Sequence, residues 1–358
     1  MLFYFHSMKK IVILILFPLS CFSQNNYPYK NLVLEGGGVR GLAYAGALSA
    51  LEEKGVLAHI EKVAGSSAGS IAALMISVGY TAKEMDSIMF QLPVQEFNDG
   101  KYGVVGKYNR IKSDFGIYKG EYFEKWLQQL VKNKTGNADL TFKDLHSLAM
   151  QNSTYKELYC TGTNISKQQM EIFSVEKTPN MPIALAVRIS GSIPLYFEPV
   201  ALDNQYRKIS RKDSTRFINY FVDGGMLCNY PISIFDTCRF NLNPLECTDL
   251  KFNIETLGIK MERPEQIDSL QKNSTSIPSY NINKLSDYLG ALSNLMIETL
   301  NRKYPNLENE KGRTIYISHG NIHAKIRKMM PEEKLLLHNN GAKAVSDFFD
   351  RKLLTVKE

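Results

Sequence analysis

The chain has 358 residues, of which 44% are hydrophobic and 22% are charged, and its net charge is +7. This is an ordinary globular composition, and the chain is long enough to bury a large core, which argues against a disordered or fibrous protein. The basic excess is mild and no nucleic-acid-binding motif accompanies it, so no nucleic acid partner is predicted.

The first element in the chain is an apolar run from Ile11 to Leu19, with two lysines before it and small residues after it. This layout is typical of a secretory signal peptide, and the run is too short to span a bilayer. We expect cleavage after Ser23, which would remove residues 1–23 and export the protein to the periplasm, the outer membrane or the medium. A lipoprotein signal that uses Cys21 is the alternative.

Four cysteines follow this segment, and an exported chain could pair them in disulfides. We expect instead free or singly bridged cysteines within packed elements. No two of them have CxxC spacing, so no metal site is predicted. The four are Cys160, Cys228, Cys238 and Cys247.

Two short apolar runs come next, each followed by a glycine-rich turn and then by a helical pattern. The runs are Leu32–Leu34 and Val63–Ala64, the turns Gly36–Gly41 and Gly65–Gly69, and the helices Gly41–Lys54 and Ala68–Val78. Alternation of strand and helix predicts a parallel sheet with helices on its faces. The predicted fold is therefore a three-layer α/β/α sandwich with a mostly parallel central sheet, in one domain over residues 27–358.

The later patterns continue this alternation. They predict helices at Glu121–Lys134, Pro182–Ile189 and Pro331–Leu354, with Gly341 as a candidate break in the last, and strands at Leu158–Thr161, Met170–Phe173 and Tyr220–Val222. Two polar segments, Asp203–Arg216 and Gln271–Asn283, are predicted to be surface loops because sheet-like pieces lie on either side of them. The first of these is basic and could rest on anionic lipid, although a solvated loop is the favoured interpretation.

The second glycine-rich turn, Gly65-Ser66-Ser67-Ala68-Gly69, matches the Gly-x-Ser-x-Gly nucleophile elbow. In that motif a strained turn between strand and helix exposes a serine hydroxyl. The preceding strand, the apolar helix and the small residues that allow tight packing all fit this context. Ser67 is the predicted nucleophile.

The first glycine-rich turn, Glu35 to Gly41, offers backbone N–H groups at the start of a helix, where an anionic oxygen could be held. Its Gly-x-Gly-x-x-Gly spacing also fits a dinucleotide-binding loop, but that motif expects an acidic residue at the end of the next strand. Glu61 precedes that strand instead, so an oxyanion loop is favoured. Arg40 could add positive charge or fix the loop through a buried ion pair.

A nucleophilic serine needs a base, and Asp223 is the favoured candidate because it ends a predicted strand and Gly224-Gly225 leaves its approach open. In a Ser-His-Asp enzyme the base would be a late histidine. The candidates for that alternative are His319, His323 and His338, none of which lies at a predicted strand end or in a glycine-rich turn.

Three boxes, Gly36–Gly41, Gly65–Gly69 and Asp223–Gly225, occur in an order and at spacings that resemble the patatin-like phospholipase family. The resemblance implies a serine–aspartate dyad in which Ser67 attacks the acyl carbonyl and Asp223 takes its proton. It further implies that the N–H groups of Gly37, Gly38 and Val39 form the oxyanion hole. Supporting positions are Arg40, Gly36, Gly41, Gly65, Gly69, Gly224 and Gly225.

The activity implied is that of a metal-independent lipid acyl hydrolase of the phospholipase A or lysophospholipase type, without a cofactor. Its expected partner is a lipid substrate, reached at a membrane surface. A non-enzymatic lipid-binding or effector protein on the same fold is the competing class. Intact Ser67, Asp223 and glycine loop argue against it.

Overall fold

The computed structural model describes residues 27–100, 103–211, 215, 217–237, 251–272, 279–283 and 310–355, with separate positions between 285 and 299. The predicted signal peptide over residues 1–23, with Cys21, lies outside these residues, as do Cys238 and Cys247. Cys160 and Cys228 are buried free thiols. No helix in the described part of the chain is both long and apolar enough to cross a membrane.

Ten strands and ten helices are described here, numbered in chain order. The strands are β1 (Asn31–Leu34), β2 (Lys62–Gly65), β3 (Gly116–Tyr118), β4 (Glu157–Asn164), β5 (Gln169–Phe173), β6 (Leu195–Phe197), β7 (Val200–Leu202), β8 (Asn219–Asp223), β9 (Thr256–Glu262) and β10 (Thr314–Ser318). The helices are α1 (Ala43–Glu53), α2 (Val56–His59), α3 (Ala68–Ser77), α4 (Ala82–Phe90), α5 (Val104–Asp114), α6 (Glu121–Thr135), α7 (Phe142–Gln151), α8 (Ile183–Ser190), α9 (Pro264–Gln271) and α10 (Pro331–Thr355).

The central sheet has the order β10-β9-β1-β2-β4-β8-β7, with β5 paired to β4 outside this path. Strands β10, β9, β1, β2 and β4 are parallel, whereas β5, β7 and β8 pair in antiparallel fashion. Helices cover the faces of this sheet, which confirms the predicted α/β class and its mostly parallel sheet. A separate two-stranded sheet joins β3 to β6.

The register of the sheet brings the two glycine-rich turns and Asp223 to one edge. Leu34 of β1 pairs with Gly65 of β2, so both turns leave the sheet side by side. Gly65 also pairs with Cys160 of β4, and Asp223 pairs with Gly162 two residues further along that strand. Asp223 therefore lies level with the residues that follow β2, although β8 arrives from the opposite direction.

The last helix, α10, runs without interruption through Gly341, so the candidate break predicted there is wrong. A Cβ at Gly341 would overlap the carbonyl oxygen of Ala43 in α1, and one at Gly46 would overlap that of His338. The two glycines lie where α1 and α10 cross, and their missing side chains let the two backbones approach closely.

The basic segment after β7 is tied to the body of the protein by ion pairs. Arg207 pairs with Asp203 (2.9 Å), Lys208 with Glu124 (2.6 Å) and Arg211 with Asp114 (2.6 Å). Two further basic residues of the predicted loop, Lys212 and Arg216, lie outside the described residues. The ion pairs neutralise much of the charge on which lipid contact by this loop would depend, and they favour a structural role.

Candidate active site

Ser67 occupies a strained turn between β2 and α3. Its φ is +49° and its ψ is −122°, a conformation that non-glycine residues seldom adopt. The turn needs its two glycines, because a Cβ at Gly65 would overlap the backbone of Gly69, and a Cβ at Gly69 would overlap the carbonyl oxygen of Leu34. This is the geometry expected of a nucleophile elbow.

The hydroxyl of Ser67 donates a hydrogen bond to Asp223 Oδ2 at 2.7 Å. Both side chains are almost buried, with 9% of Ser67 and 7% of Asp223 exposed. The neighbouring serines are engaged elsewhere: Ser66 Oγ donates to the carbonyl oxygen of Cys228, and Ser70 Oγ donates to that of Ser67. Ser67 is thus the serine of this turn whose hydroxyl contacts a carboxylate.

Asp223 is held on several sides. Its Oδ1 accepts from the Gly225 N–H at 2.7 Å, its N–H donates to Ser192 O at 2.9 Å, and its carbonyl oxygen accepts from Thr163 Oγ1 at 2.9 Å. Burial raises the pKa of Asp223 from 3.8 to about 6, and the hydrogen bonds from Ser67 and Gly225 offset part of that rise. The carboxylate is therefore a stronger base than a solvated aspartate, yet it is still ionised at neutral pH.

The glycine loop forms a short 3-10 turn from Gly38 to Leu42 directly beside the serine. A Cβ at Gly36 would meet the Cβ of Ser67 at 3.1 Å. The turn's first internal hydrogen bond is donated by Arg40 N–H to Gly37 O at 3.2 Å. The N–H groups of Gly37, Gly38 and Val39 precede that bond, so they are available to a bound oxygen.

Glu35 and Asn229 anchor this loop, and sequence reasoning missed the second of them. The Glu35 carboxylate is buried; it accepts from Asn229 Nδ2 at 3.2 Å and from Met261 N–H at 2.7 Å. Asn229 Nδ2 also donates to Gly36 O, and Gly36 N–H donates to Asn229 O, both at 3.0 Å. Because Asn229 lies six residues after Asp223, it couples the position of the loop to that of the carboxylate.

The sequence comparison decides the family. Residues 32–236 match the family model described as patatin-like phospholipase. The chain belongs to this patatin-like family. Its three boxes are the parts that meet at the serine.

Among individual relatives, the chain is similar to the uncharacterized protein YqhO of Bacillus subtilis, with 34% identity over 216 residues, 59% of this chain and 68% of YqhO. It is also 31% identical over 208 residues to 463L of Invertebrate iridescent virus 6, a probable lipid hydrolase, covering 58% of this chain and 63% of that one. The chain thus spans about two thirds of the length of these relatives. VipD from Legionella pneumophila shares the fold, with a TM-score of 0.53, 21% identity and coverage of 90% of this chain and 67% of VipD.

In the patatin-like site, a segment that follows β10 packs against the glycine loop. Arg40 Nε donates to the carbonyl oxygen of Ile322 at 2.7 Å. In the same segment, the carbonyl oxygen of Ala324 lies so close to Gly38 that a Cβ at Gly38 would overlap it. Burial lowers the pKa of Arg40, and the charge of Glu35 opposes that change. Arg40 thus contacts the segment after β10 by donating to a backbone carbonyl, whereas the structural role predicted for it from the sequence was a buried ion pair.

Arg188 positions the patatin-like dyad through its contact with Ser192. It is 2% exposed, its Nε and Nη2 donate to the carbonyl oxygens of Gly120 (2.9 Å) and Lys119 (2.8 Å), and its Nη1 hydrogen-bonds to Ser192. Burial lowers the pKa of Arg188 to about 10, which leaves it charged at neutral pH. Since Ser192 O accepts the N–H of Asp223, Arg188 holds the backbone that places the carboxylate.

The late histidines do not hydrogen-bond to Ser67. His338 Nε2 lies 3.4 Å from Asp86, and His323 Nδ1 lies 3.4 Å from the hydroxyl of Tyr280. His319 is buried near Arg40, and burial together with that positive charge lowers its pKa to about 3. A Ser-His arrangement is therefore not formed by the described residues.

A cavity of about 380 Å³ lies against the oxyanion loop and the start of α3. Its charged lining residues are Glu96, Arg327, Lys328 and Lys334. Most of the remaining lining is apolar and includes Gly38, Val39, Ala68, Ile71, Met75, Met89 and Trp126. Across the ranges described above, no group of three or more His, Cys, Asp or Glu side chains could hold a metal ion.

Proposed function

We propose that this protein is a serine lipid acyl hydrolase of the phospholipase A or lysophospholipase type, with glycerophospholipids as the preferred substrate class. The observation that carries the proposal is the 2.7 Å hydrogen bond from Ser67 to the buried Asp223 beside the glycine loop. Family membership and the lipid hydrolase activity attributed to relative 463L support the same reaction.

The first half of the reaction forms an acyl-serine. Ser67 Oγ attacks the ester carbonyl carbon while its proton passes to Asp223 Oδ2. The electron pair of the carbonyl bond moves to oxygen, where the N–H groups of Gly37, Gly38 and Val39 stabilise the negative charge. The ester C–O bond then breaks, and Asp223 returns the proton to the departing alkoxide.

The second half releases the fatty acid. Water attacks the acyl-serine as Asp223 takes a proton from it, and the proton returns to Ser67 Oγ when the acyl group leaves. Asp223 is a weak base toward a hydroxyl group, so stabilisation of the oxyanion has to supply much of the rate acceleration. The burial that raises the pKa of Asp223 also strengthens these electrostatic interactions.

The apolar cavity beside the loop is the proposed acyl-chain site. Its wall includes Ala68, the residue after the nucleophile, and an α3 face formed by Ile71 and Met75. The transfer of a flexible hydrocarbon chain from water to such an apolar lining has a favourable free energy. Lys328 also lines the cavity and offers a cation to a phosphate head group, whereas the neighbouring Arg327 is paired with Glu333 at 2.6 Å.

Filling the cavity should change chain-length preference. Ile71→Trp is expected to lower kcat/KM for long-chain esters by roughly tenfold and to leave short-chain esters nearly unaffected, because only the long chain needs the occupied volume. The measurement is kcat/KM across a series of p-nitrophenyl esters. Ile254→Trp is the matched control, since Ile254 is exposed just before β9 and away from the cavity. An equal loss for all chain lengths would contradict the assignment.

The proposed activity is tested by fatty-acid release from mixed phospholipid vesicles that contain a chelator. The parent protein is compared with Ser67→Ala and with His338→Gln, which alters a histidine placed away from the dyad. Release by the parent and by His338→Gln, but not by Ser67→Ala, is expected. If a folded parent released nothing from phospholipid, neutral lipid or short-chain esters, the lipid-binding alternative would replace the proposal.

We also propose export of the chain, which rests on the sequence of residues 1–23 alone. The lysine pair, the apolar run and the small residues after it support this. Mass analysis of the N-terminus after expression in a bacterial host checks it, with a start at Gln24 as the expected result. An N-terminus that retains the apolar run would contradict cleavage.

A further inference from the structure

Helix α5 is an exposed helix with no buried residue. Three apolar side chains in its first half are largely solvent-exposed: Val104 at 87%, Val105 at 73% and Tyr108 at 67%. Valine is a weak helix former, and at these positions it is exposed and is not buried against the part of the chain that the structure describes. Folding alone therefore does not account for this choice of residues.

The helix is fixed to the protein by its opposite side. Arg110 pairs with Asp114 at 2.9 Å and also contacts Glu198, while Arg211 pairs with Asp114 at 2.6 Å. Residues 110 and 114 are one turn apart and share a face. At 100° per residue, residues 104, 105 and 108 lie on the far side of the helix from Arg110.

Positive charge accompanies the apolar residues. Lys112 follows Tyr108 by one turn, so the two share the outer face. Lys112 makes no ion pair with any residue that the structure describes. An outer face with apolar and basic side chains matches the interface of an anionic bilayer, where apolar groups enter the acyl boundary and lysines meet lipid phosphates.

The chain on either side of the helix leads to parts of the candidate active site. The chain runs from the cavity wall at 90–96 through Asn98, which accepts a hydrogen bond from Tyr196, into α5. Strand β3, directly after α5, pairs Gly116 with Leu195. Leu195 is 60% exposed and lies three residues after Ser192, the residue that holds the backbone of Asp223.

We propose that the outer face of α5, formed by Val104, Val105, Tyr108 and Lys112, docks on an anionic phospholipid surface and brings the cavity mouth to its substrate. The choice of lipid as partner rests on the proposed function. Docking is a separate property from catalysis, because none of these side chains belongs to the dyad or the glycine loop.

The test measures co-sedimentation with vesicles of phosphatidylcholine, with and without phosphatidylglycerol, in the Ser67→Ala background so that the vesicles stay intact. The variant is Val104→Gln with Val105→Gln, since glutamine favours a helix at least as well as valine and removes only the apolar surface. The control is Met150→Gln, which changes a side chain that is 75% exposed. Met150 lines a groove with Lys62 and Glu157, at the amino ends of β2 and β4.

The double variant is expected to lose roughly tenfold in partitioning onto phosphatidylglycerol vesicles, while Met150→Gln binds like the parent. With Ser67 intact, the same double variant should hydrolyse a monomeric short-chain ester at the parental rate and vesicle phospholipid more slowly. Unchanged partitioning would overturn docking by α5 and would leave this face to a protein partner. Absence of vesicle binding by the parent would overturn it as well. Loss of all ester hydrolysis in the parent would instead reject the proposed function.

Discussion

Asp223→Asn is expected to lower kcat for ester hydrolysis by roughly 10²–10⁴-fold and to make the protein more stable at neutral pH. The amide keeps the shape of the carboxylate, and its oxygen can still accept the Gly225 N–H that now binds Oδ1. It cannot take the proton of Ser67, because its NH₂ group would face the hydroxyl that Oδ2 now accepts. Steady-state kinetics on a soluble ester measures the rate.

The stability gain follows from the pKa of Asp223, which burial raises from 3.8 to about 6. A folded-state pKa above the unfolded value means that ionisation is harder in the folded protein. The stability associated with the protonated form is present below about pH 4 and is lost as the pH rises through about 6. At pH 7 that loss is about 3 kcal/mol, so the Asp223→Asn substitution removes a penalty that is absent at low pH.

Denaturant unfolding near pH 7 and near pH 4 checks this sign, and Asp236→Asn is the matched control. Asp236 is also buried, but both its oxygens accept from Arg313 at 2.7 Å. Removing its charge leaves a buried arginine without its partner and is expected to destabilise the protein by about 3 kcal/mol. If Asp223→Asn were less stable than the parent at pH 7, ionisation of Asp223 would not be the destabilising feature inferred here.

The same pKa sets the pH dependence of the parent enzyme. Since only the carboxylate form of Asp223 can accept the proton of Ser67, kcat/KM should rise with pH through about 6 and then level off. The rate across that range is measured on the soluble ester, where lipid packing does not vary. A profile that is flat from pH 4 to pH 8 would show that another group, or none, limits the reaction.

The parts of the site that the sequence predicted are those encoded locally. Both glycine-rich turns need particular residues at fixed spacing, so Ser67 and the Gly36–Gly41 loop were identified from short stretches of chain. Asp223 could be placed at a strand end for the same reason. That β8 runs antiparallel to β4, and so brings Asp223 level with Ser67, depends on a register that no local pattern contains.

The parts that the sequence left unpredicted depend on distant contacts. Asn229 hydrogen-bonds to Glu35 and Gly36 across more than 190 residues, and its own surroundings resemble an ordinary turn. Helices α4 and α7 begin with capping boxes at Thr81 and Thr141 that could have been found by their Thr-x-x-acid pattern. Helix α5 has no buried stripe, so the periodicity that identifies most helices is absent from it.

Gly38→Ala is expected to lower kcat by roughly 10²–10³-fold, the effect of losing one oxyanion donor. Gly38 has a φ of +56°, which disfavours alanine, and its Cβ would overlap the carbonyl oxygen of Ala324. Relieving this overlap has to move the glycine loop and the segment after β10 apart, and it strains the hydrogen bond from Arg40 to Ile322 O that joins them. The N–H groups of Gly37, Gly38 and Val39 would then no longer converge on the oxygen of a bound ester.

Gly55→Ala is the matched control, because it introduces an alanine at a positive φ without the steric overlap that Gly38→Ala causes. Gly55 has a φ of +75°, and a Cβ there would meet no atom within 4 Å. Its alanine variant should therefore lose about 1 kcal/mol of stability and keep its hydrolytic rate. Circular dichroism and denaturant unfolding establish that both variants are folded, and kcat on a soluble ester compares them. If Gly38→Ala retained the parental kcat, the N–H groups of this loop could not be the donors that hold the oxyanion, and its glycines would serve packing alone.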